Sequence, residues 1–150
     1  MSSTANDQVL SAVNARLDEL VEFTQRLVAC RSDSQSEGSA EFQPEATRCL
    51  DIIAAKLESM GMEVERWLEQ PRYPALAARL PGTGGGRSLA INGHIDVVPV
   101  GDLSSWAHDP WGSEISDGKL WGRGSCDMKS GVAAGIFAIQ AVIDSGVERK

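Results

Sequence analysis

His94 and Asp96 stand two residues apart after an apolar run, and Asp127 follows within a glycine-rich segment. Imidazole nitrogen and carboxylate oxygen are the donors that hydrolytic metal centres use. Side chains at i and i+2 of an extended segment share a face, so the His94 ring and the Asp96 carboxylate can stand side by side. A ligating imidazole needs its second ring nitrogen held, and Asp96 can do this or orient a catalytic group beside the metal. Taken alone, an H-x-D pair also reads as a satisfied histidine next to a loop carboxylate. Asp127 changes that weighting. It lies in Gly122-Arg123-Gly124-Ser125-Cys126-Asp127-Met128-Lys129-Ser130-Gly131, whose glycines predict unusual dihedrals that place the carboxylate at a sheet edge. Two oxygens allow such a carboxylate to bridge two cations. The local alternative, in which Asp127 caps the following helix, leaves the upstream H-x-D unexplained.

The neighbouring residues read more plainly. His108 is a loop histidine, Cys126 a small packing residue without an adjacent base, and Lys129 a surface or turn contact. Trp106, Trp111 and Trp121 pack a loop against the sheet, and Arg123 holds a turn. Lys129-Ser130 raises the question of a phosphate loop. That motif needs glycine at 123 and 128, where Arg123 and Met128 stand, and Asp127 would repel phosphate.

The elements that position these residues follow from periodicity. Apolar residues at Leu10, Val13, Leu17, Leu20, Val21, Leu27 and Val28 predict one amphipathic helix over 9–28. Serine-rich 31–39 reads as a loop. A second helix begins near Pro44, carries Leu50, Ile53, Leu57 and Met60, and ends at Gly61. Residues 62–67, 75–80 and 88–92 read as strands, the last running into His94. Asp117-Gly118 between apolar flanks predicts a hairpin within 115–121, and 130–145 an Ala/Gly-rich helix bearing Val132, Ile136, Ile139 and Ile143 on one side. This order predicts an α/β sandwich.

The chain has 150 residues and a formal net charge of −7. An acidic balance argues against nucleic acid as a partner, and no apolar run approaches the length of a membrane span. The amino-terminal residues lack a signal-peptide pattern, and Cys30, Cys49 and Cys126 cannot all pair with one another. A reducing, cytoplasmic compartment is the expectation.

Gly93-His94-Ile95-Asp96-Val97-Val98-Pro99, then Trp106, Asp109-Pro110-Trp111, Asp117-Gly118-Lys119-Leu120-Trp121-Gly122-Arg123-Gly124 and Asp127-Met128-Lys129, together resemble the M20-type zinc peptidase/aminoacylase family. This is the family of acetylornithine deacetylase, succinyl-diaminopimelate desuccinylase and carboxypeptidase G2. The resemblance implies a three-layer α/β sandwich, zinc exopeptidase-like, with a central mixed sheet flanked by helices and incomplete in this chain. It implies that His94 binds one zinc, that Asp127 bridges two, and that Asp96 is the supporting acidic residue of the active site. The implied reaction is attack of a metal-bridging water on the amide carbonyl of an N-acyl amino acid or peptide, with cobalt or manganese as substitute metals. Ser130 departs from the family's usual glycine, which costs little unless the position needs a positive φ.

The family's site also needs a glutamate pair, a further acidic ligand and a distant histidine. After Asp127 the only acidic residues are Asp144 and Glu148, and the only other histidine is His108. The expectation is therefore that residues 1–150 form the amino-terminal part of a catalytic domain. The remainder of that domain, and a lid through which homodimers form, are expected elsewhere. By itself this part is expected to bind metal weakly and hydrolyse nothing. A non-catalytic binding or regulatory module that retains the fold is the alternative.

Overall fold

Pro44 opens a helix and Gly61 closes it, as their types require. The computed structural model describes residues 3–33, 44–68 and 74–149, so most of the loop expected over 31–39 lies outside the described residues. Its elements are α1 (Ser3–Asn14), α2 (Leu17–Val28), α3 (Pro44–Ser59), β1 (Glu63–Trp67), β2 (Ala75–Arg79), β3 (Ile115–Ser116), β4 (Lys119–Leu120) and α4 (Lys129–Asp144). A short 3-10 turn, Leu103–Ser105, lies between β2 and β3. Past α3, Gly61 adopts φ +75°, its N–H donates to Glu58 O (2.9 Å), and the Met62 N–H donates to Leu57 O (3.2 Å). This paired closure satisfies carbonyls that a helix end otherwise leaves bare.

The single helix expected over 9–28 is two. Arg16 leaves the helical region at φ −119°, ψ 13°, and its guanidinium pairs with Glu19 on α2 and with Asp144 at the end of α4. The break lets both α1 and α2 lie against α4. Of the expected stripe Leu27 and Val28 are buried, joined by Phe23 from outside it, while Leu10, Leu17 and Val21 stay exposed.

The core joins Phe23, Leu27 and Cys30 to Cys49, Ile53, Leu57, Met60 and Met62 and to Ala133, Ile136 and Phe137 of α4. The Phe23 and Phe137 rings meet at 5.7 Å, tilted 55°. Strands β1 and β2 pair antiparallel, with Val64 opposite Ala78, and Val64, Leu76 and Ala78 face this core. A second ladder, β3–β4, closes through Asp117 (φ 52°) and Gly118 (φ 71°), the doubly left-handed turn that the Asp-Gly pair predicted.

The class is α/β, and the sheet content of the described residues is these two antiparallel ladders and one parallel bridge between Asp33 and Val97. Residues 88–92, expected as a strand, form no ladder among the described residues, and Leu89 is 86 % exposed. Alternation specifies a face but supplies no partner strand. The segment instead runs along α4, where an ideal Cβ on Gly135 would come within 2.9 Å of Ile91 Cγ2. No helix of the described residues is long and apolar enough to cross a membrane.

Candidate metal centre

Segment 93–97 reaches the site from the α4 side. A Cβ on Gly93 would stand 2.9 Å from Val132 Cγ2, so only glycine allows this approach. Ser32, just past α2, stitches the segment down: its Oγ donates to Ile95 O (2.5 Å), and the Val97 N–H donates to Ser32 O (3.1 Å). His94 and Asp96 therefore project from backbone anchored on both sides of Asp96.

The second half of the site is the turn 122–128. A Cβ on Gly122 would lie 2.5 Å from Val28 Cγ1, and one on Gly124 (φ +85°) 2.8 Å from Val97 Cγ1. The Arg123 N–H donates to Pro110 O (2.7 Å), and the Lys129 N–H to Gly124 O (3.0 Å). The Asp127–Met128 peptide is cis. Met128 is the N-cap of α4 and no side chain caps the helix, so the Asp127 carboxylate is not used up in capping. Ser130 sits within α4 and outside the positive-φ positions, which removes the reason for glycine there.

The structure brings the three residues together across this seam. His94 Nε2 lies 3.3 Å from Asp127 Oδ1, and His94 Nδ1 lies 3.0 Å from Asp96 O and 3.3 Å from Asp96 Oδ1. Carbonyl and carboxylate oxygens only accept, so a proton on Nδ1 satisfies the Asp96 side of the neutral ring. Nε2 then presents a lone pair to another acceptor, an arrangement that a cation between them satisfies. Donors around a tetrahedral zinc at about 2.0–2.1 Å are separated by about 3.3 Å, the spacing found between Nε2 and Oδ1. The side chains of His94, Asp96 and Asp127 are 47 %, 71 % and 86 % exposed, so this edge is open in the chain as described. Among the described residues no group of three or more His, Cys, Asp or Glu side chains is arranged to hold a metal. The chain supplies a two-donor edge.

Around this edge several residues differ from their sequence readings. Lys129, expected to make a surface or turn contact, is fully buried, and its amino group donates to Cys30 O at 2.7 Å. Burial pushes its pKa down. Cys126, expected to pack, is exposed. Nearby, the buried Cys30 thiol donates to Arg26 O (3.4 Å); its interaction with the buried Cys49 thiol pulls Cys30 down to about 7 and pushes Cys49 up, burial adding to the latter. His108 pairs with Glu114 (3.0 Å) and stacks on Trp121 at 4.4 Å. The Arg123 guanidinium lies over Trp106 at 4.9 Å. Sequence reasoning missed Ser32 and Lys129. Ser32 sat in a segment read only as loop, and lysine is the residue least expected in an interior.

Comparison with known proteins gives the same picture. Residues 90–150 match Peptidase family M20/M25/M40. A succinyl-diaminopimelate desuccinylase of Cereibacter sphaeroides (strain ATCC 17029 / ATH 2.4.9) is 45% identical over 118 residues, 79% of this chain and 28% of the relative. That of Paracoccus denitrificans (strain Pd 1222) is 41% identical over 121 residues, 81% of this chain and 28% of the relative. The crystal structure of human carnosine dipeptidase 1 superposes with a TM-score of 0.78 at 30% identity, covering 91% of this chain and 31% of that one. The chain thus spans under a third of the length of these relatives. Motif, local geometry and fold agree in their likeness to peptidase family M20/M25/M40, whose model residues 90–150 match.

Proposed function

We propose that the protein of which these residues form part is a metal-dependent hydrolase of amide bonds, acting on an N-acyl amino acid or a small peptide. The observation that carries this reading is the 3.3 Å approach of His94 Nε2 to Asp127 Oδ1, with the opposite ring nitrogen held by Asp96. Relatives named for removing a succinyl group from diaminopimelate and for cleaving a dipeptide support the substrate class, since both act at an amide. Zinc is the metal proposed, two ions in the whole protein, with cobalt or manganese as substitutes. When bound, such ions polarise the amide carbonyl and supply a nucleophilic water near neutral pH.

In this reading His94, through Nε2, and Asp127, through its carboxylate, would hold the metal. Asp96 holds Nδ1, fixing the tautomer that leaves Nε2 free, and keeps the ring in plane with the donor edge. The remaining ligands and the general base are proposed to lie outside residues 1–150, as does a dimerising lid. A cytoplasmic location fits the three unpaired thiols.

The test is made on the full-length protein. Succinyl-diaminopimelate, N-acetyl amino acids and dipeptides are assayed before and after chelation, with wild type, His94→Ala and Asp127→Asn. Hydrolysis of one class that chelation abolishes, zinc restores, and both substitutions reduce by more than about 10²-fold is the expected result. Zinc-independent turnover, or variants that bind zinc and turn over as wild type does, would refute the assignment.

A further inference from the structure

Lys129 is the largest fully buried side chain among the described residues and stands two positions after Asp127. Leu27, Val28, Cys30, Cys49 and Ser32 follow it in volume among the fully buried side chains, and no carboxylate of the described residues forms an ion pair with Lys129. Burying a lysine costs desolvation in either protonation state, whereas a methionine of similar length would simply pack. What the lysine adds is a directed donor. Its amino group reaches the Cys30 carbonyl at 2.7 Å across 99 positions of sequence. Its stem lies under the turn, where a Cβ on Gly124 would meet Lys129 Cδ at 3.1 Å.

The acceptor's location gives this contact a consequence. Residues 30–32 hold both halves of the donor edge: Ser32 binds Ile95 and Val97 on the His94 side, and Cys30 O binds Lys129 on the Asp127 side. The separation of the two halves is therefore set through one short stretch of backbone following α2. We propose that Lys129 is a positioning residue, whose buried amino group locks turn 122–128 to the Cys30 carbonyl and so holds the Asp127 carboxylate opposite His94.

This inference rests on the metallohydrolase reading, and the experiment separates the two. In the full-length protein, Lys129→Met, Lys129→Gln and Asp127→Asn are compared by Tm, by zinc affinity from chelator competition, by the visible spectrum of the cobalt form, and by kcat and KM. Lys129→Met should keep the wild-type Tm or exceed it, because a buried polar group is replaced by an apolar one of similar volume. Its zinc affinity should fall about 10–100-fold, the range seen when a ligand loses its supporting contact. The cobalt spectrum should weaken, and kcat should fall while KM stays near wild type. Lys129→Gln, which keeps a donor, should recover part of the affinity. A folded Lys129→Met with wild-type affinity and spectrum overturns the inference. So does loss of fold in both Lys129 variants, with glutamine no better than methionine, which would make Lys129 a packing residue. Unchanged zinc affinity in Asp127→Asn would instead remove the metal reading, and this inference with it.

Discussion

At the scale of single residues, the donor edge depends on which nitrogen of His94 is free. Asp96 presents two acceptors to Nδ1, its own carbonyl at 3.0 Å and its carboxylate at 3.3 Å. The backbone contact survives substitution of the side chain and the carboxylate contact does not. Asp96→Ala should therefore loosen the ring without eliminating the correct tautomer. Zinc affinity of the full-length protein should drop by about 10-fold, at the mild end of the range for supporting contacts, when measured by chelator competition. His94→Ala removes a donor outright and should cost far more. Equal losses in the two variants would mean that Asp96 ligates and does not merely orient. Asp96 is largely exposed, so neither change should disturb the core.

At the scale of elements, the break between α1 and α2 is held by charges at the far end of the chain. Arg16 pairs with Asp144 at the end of α4 and with Glu19 one turn into α2, and Lys56 of α3 also holds Glu19 at 2.6 Å. The Arg16 contact depresses the Asp144 pKa, and Lys56 first, then Arg16, depresses that of Glu19. A carboxylate depressed on folding contributes stability that is complete above its ordinary value. That contribution fades as pH falls through the depressed value. Arg16→Ala should accordingly lower Tm at pH 7 by only about 1–4 °C, since exposed pairs are worth under about 1 kcal/mol, and the deficit should shrink as pH falls below the ordinary carboxylate range. A deficit that persists unchanged in acid would assign it to packing and not to charge. This element also shows what local sequence encodes. The Pro44 start, the Gly61 stop and the Asp117-Gly118 hairpin were legible because each is decided within a few residues. The helix break was not, because Asp144 lies 128 positions from Arg16. The 88–92 strand was misread because alternation names a face and not a partner, and Lys129 because its acceptor is 99 positions away. His94 and Asp127 were legible as a pair through residue type and turn glycines, whereas the backbone that joins them, residues 30–32, carries no signature of its own.

At the scale of the molecule, the site is a seam between the stretch after α2, segment 93–97 and turn 122–128, and each strip is held to the others by hydrogen bonds or glycine-only contacts. Contacts within the chain itself align the two donors, so geometry does not limit binding. Ligand number does. Zinc sites use about four donors, and the described residues contribute no set of three. Losing one supporting contact already costs about 10–100-fold in metal affinity, so the absence of further ligands must cost more than that range. Residues 1–150 expressed alone should bind zinc more than about 100-fold more weakly than the full-length protein and show no metal-dependent amide hydrolysis. Isothermal titration and a turnover assay measure both quantities. The exposed Leu89, Ile91, Val98 and Leu103 should make this segment bind hydrophobic dyes more strongly than the full-length protein does. Turnover by the segment alone would show that the chemistry needs no ligand beyond His94 and Asp127. The proposal that the general base and remaining donors lie elsewhere would then be wrong, even with the family likeness intact.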